Sequence, residues 1–218
     1  MYLPVARTTW IMPNFELTID DVSHPGAMLF LDNIRPANAL RDAVVAVCSG
    51  LYTIRDVPGN VQNVRLVLQA MPGVAYTTGS HTHKEIHFSL NHIERSAARA
   101  RSEITGVLTH EMVHCYQYNA RGTCPGGLIE GIADWIRLRA GLAPPHWVEG
   151  RGAKWDAGYE ATAYFLEWIE RQRGQGTVRN INAALNDRTY SNAIFRELTG
   201  STVDELWELY RLDLKSRQ

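Results

Sequence analysis

The sequence predicts an α+β fold, with a mixed sheet and one long helix in the amino-terminal part and a mainly helical half after it. Three observations predict this. Short segments with strand character cluster before residue 93. From Glu103 onward, helical patterns follow one another as far as Lys215. Hydrophobic residues make up 45% of the chain and charged residues 21%, an ordinary globular balance that supports a packed core. A length of 218 residues suits one domain, 1–218, with its mixed part at about 1–120 and its helical part at about 121–218.

Taken in order, "FELTI" (Phe15–Ile19) alternates apolar and polar residues, as a strand does. "ANALRDAVVAVCSGLYTI" (Ala37–Ile54) brings Leu40, Val44, Val47 and Leu51 to one helical face, and Pro36 stands just before it. "VRLVLQAM" (Val64–Met71) is rich in β-branched residues and stops at Pro72–Gly73. Val74–Gly79 and "EIHFSLNHI" (Glu85–Ile93) are two further strand candidates. The helical half begins with Glu103–Asn119, for which Ser102 is the expected N-cap. Gly127–Ala140 follows, bracketed by Pro125 and Gly141 and closed off by Pro144–Pro145. Lys154–Arg173 and shorter helices complete the chain. The change of texture near Glu103 predicts a cleft between the two parts.

Bulk properties exclude several classes of function. A net charge of -1, from 22 basic and 23 acidic residues, argues against a nucleic-acid partner or an anionic membrane surface. No apolar run is long enough to span a bilayer. The start, "MYLPVARTTWIMPNF", has no apolar core, so no signal peptide is expected; the protein either stays inside the cell or lacks its leader here. A monomer is expected. Three cysteines are not a disulfide framework and read as free thiols; Cys115 and Cys124 are the one pair close enough in sequence to suggest a bridge. No C-x-x-C pair offers a zinc–thiolate site.

The chemistry concentrates in "GVLTHEMVHCYQ" (Gly106–Gln117), where two histidines flank a glutamate as H-E-x-x-H. Chance supplies this pattern in roughly 2% of shuffled chains of this composition, so its surroundings must carry the assignment. On a helix, His110 and His114 lie one turn apart on one face, where two imidazoles reach one metal ion. Glu111 points about a quarter-turn away, toward the border of the apolar stripe of Ile104, Leu108 and Cys115. A catalytic zinc needs a third protein ligand and one open position. The metzincin pattern fails, because Gln117 and Ala120 stand where it needs glycine and histidine or aspartate. The aspzincin pattern fails too, since "GTCPGG" (Gly122–Gly127) holds no aspartate. "GGLIEGIADWIRL" (Gly126–Leu138) offers Glu130 and, one helical turn later, Asp134. Glu130 can serve as the third ligand and Asp134 can accept the outer N–H of a ligand histidine, the alternative for such a charged pair being a solvated helix face. The helix is apolar almost all round, so its carboxylates are expected to be buried and to need a partner.

Longer stretches carry a resemblance. "GVLTHEMVHCYQYNARGTCPGGLIEGIADWIRLRAGLAPPHW" (Gly106–Trp147), "WDAGYEATAYFLEWIE" (Trp155–Glu170) and "STVDELWELYRLD" (Ser201–Asp213) resemble the plant basic secretory protein family, the peptidases of plants, fungi and bacteria; "FELTIDDVSHPGAMLFL" (Phe15–Leu31) resembles its start more loosely. The resemblance implies a zincin-like fold of the gluzincin kind and a zinc-dependent peptidase acting on peptides or proteins. It implies zinc on His110 and His114 with Glu111 as acid–base, and it supports Glu130 as third ligand. The family is typically secreted and basic, whereas this chain has a pI near 6.7.

Hydrolysis also needs a donor for the oxyanion, for which Tyr159 is the expected residue and His146, also in line for the cleft, the alternative. Substrate is expected to pair along a sheet edge formed by "EIHFSLNHI", directly before the helix of the motif. His81 and His83 read as loop residues, and His87 and His92 as opposite faces of a strand. Trp135, Trp147, Trp155, Trp168 and Trp207 read as packing residues. The competing function, from another class, is a zinc-stabilised binding or defence protein of the same fold that does not turn over.

Overall fold

A computed structural model describes residues 10–217. Residues 1–9, most of the stretch expected to lack a leader, lie outside them. Four strands form one sheet: β1 (Asn14–Ile19), β2 (Asn63–Gln69), β3 (Ala75–Gly79) and β4 (His83–Ser89), in the order β1-β2-β4-β3. β1, β2 and β4 run parallel, and β3 closes the row antiparallel to β4. Between β1 and β2 lie helices α1 (Pro25–Asn33) and α2 (Pro36–Leu51). After β4 come α3 (Leu90–Arg95), α4 (Ala100–Tyr116), α5 (Gly126–Arg139), α6 (Tyr159–Arg173), α7 (Thr177–Ala184), α8 (Ala193–Thr199) and α9 (Val203–Ser216). The α+β layout and the switch to helices after the sheet therefore stand as expected. Among the described residues, no helix is long and apolar enough to cross a membrane.

The sheet is buried on one face because its residues alternate. Val64, Leu66 and Leu68 of β2, with Ile86 and Phe88 of β4, are fully buried against the helices. On the opposite face the register aligns Glu16, Arg65 and Glu85 across three strands, and Arg65 pairs with Glu16 at 2.9 Å and Glu85 at 3.4 Å. Leu40, Val44, Val47 and Leu51 of α2 form the buried stripe that their spacing predicts, and α2 packs on α4. α4 also touches β3, β4 and α5, so it is the central helix of the molecule. α5 and α6 approach closely: a Cβ on Gly131 would come within 2.2 Å of the Thr162 methyl. Trp135, Trp155 and Trp168 are buried, as packing residues should be.

Several expectations need correction. The segment Glu85–Ile93 is not an edge strand. β4 lies between β2 and β3, and it ends at Ser89, whose hydroxyl accepts from the His92 N–H at 3.2 Å and starts α3. His92 thus sits on a helix and not on a strand face. The free edge beside α4 belongs to β3. α4 begins at Ala100, and Ser102 lies inside it with its hydroxyl turned back to the Arg99 carbonyl. α6 begins at Tyr159, because residues 154–158 form a turn that ends with Gly158 at φ 89° and is tied by Thr162 to the Gly158 N–H and the Trp155 carbonyl. Helix α1 escapes the periodicity argument, since it buries only Gly26, Ala27 and Phe30 and is capped by His24. All three cysteines are free, so Cys115 and Cys124 are not bridged.

Candidate metal centre

α4 and α5 pack side by side and present the motif residues to one another. His110 Nε2 and His114 Nε2 are 3.1 Å apart, as the one-turn spacing requires. Glu130 Oε2 on α5 lies 3.1 Å from His110 Nε2 and 3.7 Å from His114 Nε2. Among the described residues, these three form the one group of histidine, cysteine or carboxylate side chains close enough to hold a metal ion. Atoms bound at about 2.0–2.1 Å to a tetrahedral zinc stand roughly 3.4 Å from each other, so the three separations match the edges of such a site.

The outer nitrogens set the tautomers. His110 Nδ1 is 2.6 Å from Asp134 Oδ1, which lies almost fully buried one turn after Glu130. An N–H donated there leaves the lone pair of Nε2 facing Glu130 and His114. His114 Nδ1 is 2.8 Å from the side-chain amide of Gln117, while the other atom of that amide, Oε1, is buried with no partner. Exchanging the amide's N and O lets Oε1 accept the His114 N–H. Two nitrogen lone pairs and a carboxylate oxygen then converge, an arrangement that a metal ion satisfies and that a proton on His110 satisfies otherwise. Charges respond accordingly. Burial disfavours a charged His110, but the bonds to Asp134 and Glu130 outweigh it and raise its pKa to about 9. Burial pushes the Glu130 carboxyl up, yet His110 and His114 bring it down to about 2.

Glu111 is 5% exposed, and its Oε2 accepts a hydrogen bond from Thr77 Oγ1 at 2.8 Å. Thr77 reaches it because register pairs Thr77 with the buried Ile86, which turns its side chain to the helix face of β3. Tyr159 lies beside the group, with its ring stacked 6.3 Å from that of His110. Its backbone takes φ 47°, an uncommon value for a bulky residue, and its phenol pKa is raised, first by Glu130 and then by burial. His146 faces the same space from the loop after α5. One cavity of about 830 Å³ gathers all seven residues singled out in the sequence: His110, Glu111, His114, Glu130, Asp134, His146 and Tyr159. Val74 and the first three residues of β3, Ala75, Tyr76 and Thr77, form part of its wall.

Sequence reasoning missed Thr77 and Gln117. Thr77 has no local signal, since its place depends on strand order. Gln117 had one, because it stands three residues after His114 at the end of the same helix.

No curated protein and no solved structure matches the chain. A family model described as "Peptidase of plants and bacteria" does match, over residues 12–210. That span takes in the whole sheet, the H-E-x-x-H helix and the helix of Glu130, so the chain belongs to this family of peptidases.

Proposed function

We propose that the protein is a zinc-dependent peptidase of zincin-like fold, with the metal held by His110, His114 and Glu130. The observation that carries this is the convergence of three acceptor atoms, 3.1–3.7 Å apart, with the outer N–H of His110 committed to Asp134. Zinc held by these residues would supply Lewis-acid polarisation and a more acidic water. Glu111 takes the proton of the attacking water and returns it to the leaving amine. The Thr77 hydroxyl fixes the Glu111 carboxylate for that transfer. Asp134, through His110, orients a ligand ring and raises its basicity. The Tyr159 hydroxyl donates to the developing oxyanion, and the exposure of this residue at the cavity leaves it free to swing toward substrate. An extended peptide pairs with the open edge of β3, which runs along the same cavity.

Glu111→Gln separates catalysis from metal binding. The variant keeps one zinc per chain and its melting temperature but loses nearly all hydrolysis of unfolded casein, because an amide cannot accept the proton. Comparable hydrolysis by this variant removes Glu111 from the role. Full zinc content in wild-type protein with no hydrolysis supports the non-catalytic binding protein instead.

A further inference from the structure

The cavity extends beyond the His110–His114–Glu130 group toward the amino end of α4, and its charge changes sign there. Glu103 stands seven residues before His110, on the same face of the helix and about 10 Å along its axis. It is 4% exposed and accepts hydrogen bonds from His92 Nε2 at 2.8 Å, from Arg99, and from Arg137 Nη2 at 2.9 Å. Burial pushes its carboxyl up, but His92, Arg137 and Arg99 hold it at about 2, so it stays ionised. Two guanidiniums share this one carboxylate, which leaves a surplus positive charge in the cavity wall.

Arg137 is the buried member of the pair. It is 7% exposed, and its Nε donates to the Leu142 carbonyl at 3.0 Å. The guanidinium carbon lies 5.4 Å from the ring centre of Trp147, which fixes the plane of the group. Among the described residues, its Nη1 has no protein partner, and Arg137 lines the cavity, to which that donor is open. Gly106 makes room for it: a Cβ there would come within 2.6 Å of Arg137 Nε. The guanidinium therefore crosses α4 at Gly106, four residues before His110. That is about 6 Å along the axis, or roughly two residues of an extended peptide. A structural ion pair needs one arginine for Glu103. A second, almost buried and with one donor open to the cavity, is placed to receive an anion from outside.

We propose that this end of the cavity is a subsite for a substrate carboxylate, carried one or two residues from the scissile bond. Arg137 Nη1 and the half-exposed Arg99 guanidinium supply the donors. The carboxylate is either an acidic side chain or the free end of the peptide. The inference rests on the neighbouring group being the hydrolytic site.

Binding tests it without turnover. Amino-blocked hexapeptides of one fixed alanine-rich sequence carry Glu or Gln at each position in turn, and each is made with a free and with an amidated carboxyl end. Calorimetry uses zinc-loaded Glu111→Gln protein. One Glu peptide of the amidated set is expected to bind about tenfold or more tightly than its Gln partner if the side chain is the anion; a free-over-amidated advantage of that size identifies the chain end. Arg137→Gln leaves Glu103 paired with Arg99 and His92, so the variant keeps its fold, checked by its melting temperature, and the advantage falls to within about twofold. Equal affinities throughout, unmeasurably weak binding included, overturn the subsite, as does an advantage that survives Arg137→Gln. Chelator-sensitive casein hydrolysis by the wild type is measured alongside. Hydrolysis without a carboxylate preference removes the subsite alone, and a preference without hydrolysis removes the peptidase reading alone.

Discussion

Thr77, on the edge strand of the sheet, donates its hydroxyl to the carboxylate of Glu111, in the middle of the central helix, at 2.8 Å. The same hydroxyl lies 3.0 Å from the Glu111 carbonyl, so it bridges the strand on which substrate is expected to lie and the residue expected to move the proton. Thr77→Val keeps the shape and removes the donor. A fall in kcat of about tenfold is expected, with zinc content and melting temperature close to wild type. An unchanged kcat would show that packing alone positions Glu111.

The partners of the two histidines should rank in metal affinity. Glu130→Ala removes a proposed ligand and abolishes tight zinc binding. Asp134→Ala removes an outer partner and weakens binding by about ten- to a hundredfold. Gln117→Leu weakens it in the same range, whereas Gln117→Glu restores an acceptor for the His114 N–H and with it the affinity. Competition with a zinc-binding dye gives the order. Asp134→Ala losing more than Glu130→Ala would make Asp134 the ligand.

Tyr159 makes a kinetic prediction. Tyr159→Phe removes one hydroxyl from a half-exposed ring beside His110, so kcat should fall by about a hundredfold with little change in KM, zinc content or stability. Unaltered kcat in the folded variant moves the role to His146.

Much of this site was legible in the sequence because it is local. The spacing His110-x-x-x-His114 and the spacing Glu130-x-x-x-Asp134 each fix a helical face, and both helices are apolar enough to be recognised. That the two faces meet is a tertiary fact, and the sequence supported it only through the need of buried carboxylates for a partner. Strand order was not legible. β3 becomes the edge because β2 and β4 pair in parallel, which joins residues 63–69 to residues 83–89 across the β3 hairpin. Thr77 was invisible for the same reason. The start of α6 was hidden because Gly158 and Thr162 build a turn whose bonds reach back to Trp155, a pattern that periodicity does not register. Nothing in the sequence joins Arg99, Glu103 and Arg137, since their meeting needs α4 and α5 packed together.

Glu103 also makes a prediction about acid stability. Its folded pKa of about 2 lies below the ordinary 4.5, so its stabilising effect is complete above the unfolded value and is lost as pH falls toward the folded one. Denaturant midpoints of wild type and Glu103→Gln should therefore be well separated at neutral pH and draw together between about pH 4.5 and about pH 2. A gap that stays constant through that window would show that the Glu103 carboxylate contributes no net charge interaction.

The most direct measurement of the central claim is a zinc titration of metal-free protein, with casein hydrolysis as the readout. The account predicts no hydrolysis at the start, a linear rise with added zinc, and a plateau at about one equivalent per chain. Hydrolysis by the metal-free protein, or none at any zinc concentration, would contradict it.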